Sequence, residues 1–352
     1  MNVQGIGLLC SRGRGIHAFQ QALLEGWREP ARLTIKDRQV PVHTVDLEHV
    51  QDKSVLKKMR RADKLSKMAV LAATDAVTDS GLRPEEVRRL GVIVATALGA
   101  HGTTFEFLDG ILDFGEAAVS PTAFSNSVHN AAASYISTAL GIQGPTLTVT
   151  QFFFSFQSAL QLADAWLHEG RLDHVLVGAI DQFGDVLGYI ADSRLALAAD
   201  GKIRPFQKSP GAVPGEGAAF FLLGNKEDER FYCRVSGVQF GTSANTPQGS
   251  GLNILDIDGM TSEVTWQAFE TSPGARIAAY SPLYGSMMTG TAFSMAAGAL
   301  MLKAGFCYAN PVLDGAQNLP VVKEHADSSV DFMRCIRYNC ANESSTIHLM
   351  KP

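Results

Sequence analysis

Strand-length apolar runs alternate with helix-patterned segments along most of this 352-residue chain, which confines it to a narrow set of folds. "VQGIGLL" opens as a strand. "ADKLSKMAVLAATDAVTDSG" carries apolar residues at helical spacing and stops on Gly81 as a C-cap, and "LGVIVATAL" (90–98) is a buried-strand run. "NAAASYISTALGIQGP" predicts a small-residue helix closed by Gly141 and Pro145, followed by a strand at "LTVTQ", a helix over 154–170 and a strand at "DHVLVGAID". Beyond these come "GAAFFLL" (217–223), "FYCRVSGVQFG" (231–241), a helix near 261–271, "ARIAAYSP" (275–282), a helix through "TAFSMAAGALMLKAG" (291–305) and a final strand at "SSTIHLM". This recurrence predicts an α/β fold with largely parallel sheets covered on both faces. The expected organisation is two halves, 1–185 and 186–352, in one compact unit. They meet near 185–215, where "DGKIRPFQKSPGAVPGEG" is rich in Gly and Pro and low in periodicity. No internal sequence repeat relates the halves.

Composition removes several function classes. With 46% apolar and 18% charged residues the chain reads as soluble and globular, and a net charge of −5 argues against a nucleic-acid partner, which requires a basic face. The apolar run in "MNVQGIGLLCSRGRG" is too short for a signal segment and reads as the first strand. No apolar run approaches the roughly 20 residues of a membrane helix, so the expected location is the cytoplasm. Cys10, Cys233, Cys307, Cys335 and Cys340 are scattered and odd in number, which suits buried free thiols; the Cys335–Cys340 spacing is a poor match to zinc patterns, and no metal is expected.

The segment "TLTVTQFFFSFQSAL" (146–160) predicts a sharp strand-to-helix turn. Enzymes often mount a nucleophile at such a turn, because free amides at the helix start stabilise negative charge. Here the turn carries Phe152, Phe153 and Phe154 instead of a Cys, a Ser or a charged group.

"GPTLTVTQFFFSFQSAL", "GRLDHVLVGAID", "RPFQKSPGAVPGEGAAFFLL" and "GSMMTGTAFSMAAG" resemble, in order and spacing, landmarks of the β-ketoacyl synthases. "RRADKLSKMAVLAATDAVTDSGL" and "FSNSVHNAAASYISTALGIQGP" are similar to the same family's amino-terminal half, so the likeness covers nearly the whole chain. The resemblance implies a thiolase-like fold, a duplicated five-layered α/β/α/β/α core, normally dimeric with the turn near the interface. It also implies a cysteine at the turn and two histidines from the second half. Carried over residue by residue, the cysteine position falls on Phe153, and a phenyl ring forms no thioester. None of the nine histidines lies between 175 and 324. Asp258-Gly259 occupies the loop of the first histidine, the later lysine maps to Ser286, and the second histidine's motif maps to Thr289-Gly290-Thr291. The family's Gly- and Phe-rich carboxyl-terminal loop is here "NCANESS" (339–345).

Taken together, these departures resemble the chain length factors, non-catalytic ketosynthase homologues. The "VTQ…SFQSAL" version and the short length look closest to the aryl-polyene cluster type. That resemblance implies a heterodimer with an active β-ketoacyl synthase and work on an acyl carrier protein. It implies no cofactor of the chain's own, the phosphopantetheine-borne acyl chain reaching the partner synthase. Phe152, Phe153, Phe154 and Phe156 would either fill a core or plug and shape the acyl channel. Asn126, His129, Asn130, Ser134, Thr148, Thr150 and Gln151 are the candidate partner interface, or else an ordinary contact within one chain. The basic run Lys53, Lys57, Lys58, Arg60, Arg61, Lys64 and Lys67 is a solvated helix face or a docking patch for an acidic carrier protein. Two other roles stand beside this one. The first is a malonyl decarboxylase or acyltransferase using Ser155 or Thr150, with Glu216 and Asp258 as available acids; the second is a purely stabilising partner.

Overall fold

The computed structural model describes residues 1–352 except 36, 50, 51, 53, 54, 56, 58, 226–230, 243–250, 261–273 and 328–329. The helix expected near 261–271 lies outside the described residues.

Ten strands build two five-stranded sheets. The first holds β1 (Asn2–Cys10), β2 (Gly91–Thr96), β3 (Thr146–Thr150), β4 (His174–Asp181) and β5 (Gly217–Gly224), in the spatial order β3-β2-β4-β5-β1. The second holds β6 (Arg234–Thr242), β7 (Gly251–Leu255), β8 (Ala275–Ala278), β9 (Phe332–Tyr338) and β10 (Glu343–Met350), in the order β8-β7-β9-β10-β6. Numbered within its own sheet, each order is 3-2-4-5-1. In each, strands 2, 3 and 4 pair parallel, and strand 5 pairs antiparallel with both neighbours. The duplication that no sequence repeat betrays is therefore written in the topology. β5, which lies beyond residue 185, is laid between β4 and β1 in the first sheet. The two sheets are continuous where β1 meets β6: Asn2 pairs with Arg234, and backbone bonds run from the Val3 amide to the Cys233 carbonyl and from the Val235 amide to the Met1 carbonyl.

The helices follow from their burial patterns. α1 is Gly15–Glu25, α2 Lys64–Ser80, α3 His101–Phe114, α4 Pro121–Ser127, α5 Ala131–Leu140, α6 Ser155–His168, α7 Asp185–Arg194 and α8 Thr291–Ala304. α2 starts with the Asp63 side chain accepting from the Ser66 amide and ends on Gly81 at φ +69, and it packs with α5 on the outer face of the first sheet. Its approach is very close: a Cβ at Gly7 would stand 1.9 Å from the Ala72 carbonyl oxygen, so only glycine fits there. α6 and α8 lie between the sheets and touch strands of both. α8 is apolar and buried on every side from Thr291 to Leu302, as a helix in a middle layer must be. These are the layers of a thiolase-like fold. Among the described residues, the far side of the second sheet is covered by Phe206, Ala316, Leu319 and Val321.

Several elements arise where no expectation was stated: the hairpin Ala31–Ile35 with Arg38–Val42, the helices α3 and α7, and the strands β7 and β9. Among the described residues, no helix is long and apolar enough to cross a membrane.

Candidate functional site

The turn between β3 and α6 is a strained elbow. Phe152 adopts φ +44, a conformation that bulky side chains rarely take, and its ring is 58% exposed. The four phenylalanines of this region part company. Phe154 turns inward against Phe240 at 5.8 Å between ring centroids, and Phe156 packs on Phe221 at 5.6 Å in the core between the sheets. These two fill a core. Phe153 alone of the four lines a cavity, with the guanidinium of Arg337 5.0 Å from its ring centroid.

Arg337 sits at the carboxyl end of β9, fully buried between two carboxylates at the end of β7. Its Nη1 donates to Asp256 Oδ2 and its Nη2 to Asp258 Oδ2, the latter at 2.9 Å. Thr291 Oγ1, at the first residue of α8, donates to Asp256 Oδ2 at 2.7 Å, and Gln157 Nε2 donates to Thr291 Oγ1 at 3.2 Å and Ser345 Oγ at 2.9 Å. Ser286 Oγ donates to the Asp258 carbonyl and accepts from the Val213 amide at 2.9 Å. The expected positions Phe153, Asp258, Ser286 and Thr291 thus meet in one cluster. Gly259, at φ +81, lets the Asp258 loop press on Gly211, where a Cβ would lie 2.3 Å from the carbonyl oxygen.

Electrostatics fix the state of this cluster. Burial raises the Asp258 carboxyl's pKa, Arg337 pulls it back, and Asp256 pushes it up again. Burial works to lower the Arg337 guanidinium, but the two carboxylates outweigh it and raise its pKa. The group is a buried cluster in which one guanidinium holds two carboxyl groups, and the proximity of Asp256 is part of what keeps the Asp258 pKa raised. Segment 339–345 closes the β9–β10 hairpin, Asn339 Oδ1 accepting from the amides of Ala341 (2.9 Å) and Glu343 (3.0 Å). Arg337 carried no signal in the sequence, because an arginine in "FMRCIRY" reads as a surface residue. Gln157 had a weak one, a polar residue on an apolar helix face.

The two candidate acids are both occupied. Glu216, fully buried, accepts from the Val45 amide at 2.7 Å, the Phe183 amide at 3.1 Å and Lys64 Nζ. Asp258 holds Arg337. Lys64 therefore points inward and leaves the basic patch, where Lys57, Arg60 and Arg61 stay exposed; Lys53 and Lys58 lie outside the described residues. Ser155 Oγ is fully buried, accepting from the Gln151 amide at 2.7 Å and donating to the Phe152 carbonyl at 3.1 Å. It braces the elbow and faces no base.

β3 is the edge of its sheet, with Leu147 42% exposed. His129, Asn130, Ser134, Thr150 and Gln151 are exposed near it in the chain, and Thr148 is half-buried. Asn126 differs: it is buried, donating to the Arg61 carbonyl at 2.6 Å and accepting from Tyr135 at 3.0 Å, so it holds the chain together internally.

The paired 3-2-4-5-1 sheets, the two buried central helices and a strand-to-helix elbow facing the second half define a thiolase-like ketosynthase fold. Residues 2–229 match the model of the β-ketoacyl synthase N-terminal domain, and the chain belongs to the β-ketoacyl synthase family. It is 29% identical over 273 residues to a putative polyketide β-ketoacyl synthase 1 of Streptomyces virginiae, covering 71% of this chain and 64% of that protein. It is also 29% identical over 234 residues to nodulation protein E of Rhizobium leguminosarum bv. trifolii, covering 64% and 58%. Thus the chain spans somewhat under two thirds of the length of these curated relatives. Among solved structures, the ishigamide ketosynthase/chain length factor superposes with a TM-score of 0.78 at 18% identity, over 100% of this chain and 98% of that one. A type II polyketide synthase acyl-carrier protein complex with its ketosynthase bound to the hexaketide gives 0.81 at 16%, over 100% and 99%.

Proposed function

We propose that this chain is a chain length factor, a subunit without ketosynthase chemistry of its own. It pairs with an active β-ketoacyl synthase and shapes that partner's acyl channel in polyketide assembly, of the aryl-polyene class by resemblance. One observation carries the reading. Where the family resemblance calls for a nucleophile facing two histidines, a phenyl ring faces an arginine neutralised by two buried carboxylates. A thiolate and a neutral imidazole are what thioester exchange and decarboxylation require, and this triad offers neither.

Physical logic supports a partner. An exposed edge strand bearing Leu147, beside an exposed Phe152, is a surface that proteins normally cover. Across a pseudo-twofold interface, an elbow of bulky rings can wall off a neighbour's channel by shape alone. The acyl carrier protein would then deliver its phosphopantetheine-borne chain to the partner synthase. No observation favours an acyltransferase, since the Ser155 hydroxyl is spent on the backbone.

The test is reconstitution with an active β-ketoacyl synthase from the same source. The pair should co-purify, this chain alone should neither take up label from malonyl-carrier protein nor release carbon dioxide, and Phe153→Ala or Phe153→Trp should change product length. A stable monomer indifferent to the synthase, or acyl label trapped on this chain, would refute the proposal.

A further inference from the structure

The cavity lined by Phe153 has a volume of about 190 Å³ and a mostly apolar wall that includes Leu98, Phe183, Leu187, Ala191 and Met287. Such a space exceeds the roughly 150 Å³ engineered cavity that stays dry and takes up benzene. Two polar side chains break its apolar character. His101 is only 8% exposed, lines the cavity, and neither of its ring nitrogens has a hydrogen-bond partner among the described residues. Gln182, also in the wall, leaves its Oε1 equally unpartnered. Burial lowers the His101 pKa and favours the neutral imidazole, which has one N–H donor and one acceptor nitrogen, while the Gln182 oxygen only accepts. Buried polar atoms without partners are unfavourable unless something hydrogen-bonds to them, and a hydroxyl group can both donate and accept. Asp181 stands in the same wall, its carboxylate already taking the amides of Ala97 and Thr289 and the hydroxyl of Thr289. A second anion would therefore be unwelcome.

We propose that this cavity is a binding site for a neutral one-ring molecule bearing a hydroxyl group, whose O–H donates to His101 Nε2 or Gln182 Oε1. The inference concerns this chain alone and does not depend on the heterodimer. Binding to the full chain is read by ligand-observed NMR and calorimetry with phenol, cyclohexanol, benzene and benzoate. The expected order is phenol and cyclohexanol first, benzene weaker by on the order of tenfold, and benzoate undetected. His101→Phe combined with Gln182→Met should abolish most of phenol's advantage over benzene while leaving benzene bound, and an advantage that survives both would overturn the proposal. Ala191→Phe should fill the space and abolish binding of all of them; should that variant fail to fold, Leu187→Trp takes its place. Equal affinity for phenol and benzene, no binding of either, or unaltered phenol binding in a folded cavity-filled variant would each overturn the proposal.

Discussion

Replacing Arg337 by Met tests whether the ion triad is the structural keystone of the site. The guanidinium is fully buried, and its removal leaves Asp256 and Asp258 facing each other in a medium that solvates neither. Breaking a buried pair typically costs about 3–5 kcal/mol, because the remaining charge is uncompensated. Loss of the cation–π contact with Phe153 adds roughly 0.5–1 kcal/mol. With a urea m-value of about 3 kcal/mol/M, the midpoint should fall by about 1 M or more. The pH dependence supplies a second, sharper readout. In the parent, burial already raises Asp258 above its ordinary value of 3.8. A raised carboxyl favours the folded state below its unfolded pKa, and that contribution is lost as pH climbs through the folded value. Without Arg337 the Asp258 carboxyl loses the cation that pulls its pKa down and rises further, so the deficit of the variant should widen from pH 5 to pH 8. Urea unfolding followed by tryptophan fluorescence at both pH values decides it. A midpoint shift under about 0.3 M, or a gap that does not change with pH, would refute the assignment of the triad as a charge-compensated unit.

Three further outcomes are expected. Lys64→Met should destabilise the chain by about 1–3 kcal/mol in the same urea assay, because it leaves the fully buried Glu216 with amide partners only; the half-exposed lysine keeps the cost below that of Arg337. Gly7→Ala should cost about 3 kcal/mol or yield insoluble protein, since its methyl would meet the Ala72 carbonyl at 1.9 Å; expression and thermal melting check this. Leu147→Lys places a charge on the exposed edge strand and should weaken association with the synthase at least about tenfold while leaving the melting temperature unchanged, as read by analytical ultracentrifugation and calorimetry.

What the sequence made legible follows from how each signal is generated. α2 and α6 were visible because apolar spacing is local, and β2, β4 and β5 because strands buried on both faces read as continuous apolar runs. α3 was not, since it exposes Leu108 and Leu112 and buries only His101, so its apolar residues trace no stripe facing a core. β9 was hidden by its two arginines, each of which looks like surface until its partners arrive from distant strands. The same distance concealed the site. Phe153, Asp258, Ser286 and Thr291 could be named singly, but Arg337, Asp256 and Gln157 join them only through pairing of β9 with β7 and the packing of α6 on β10. Asn126 shows the converse: within this chain it is a buried hydrogen-bonding residue, the other reading its segment allowed.

The duplicated topology explains why such a cluster forms at this place. α6 follows the third strand of the first sheet and α8 the third strand of the second, so the two helices occupy equivalent positions and begin near each other. Gln157, in the first turn of α6, reaches Thr291, the first residue of α8, at 3.2 Å. Two helix starts converging in a buried space create a positive potential that favours an anion. An enzyme can leave that potential for charge developing on a reacting oxygen. Here Asp256 fills it through Thr291, and Arg337 reaches both carboxyl groups from the neighbouring strand. A field already neutralised by an internal carboxylate has little left for a transition state. At the elbow a phenyl ring faces the arginine and bounds a cavity. The pieces that look like losses against the family pattern are therefore mutually consistent, each stabilising the next. A cysteine placed at Phe153 alone would stand beside Arg337 and its two carboxyl partners, with neither imidazole of the family pattern, and should not yield condensation.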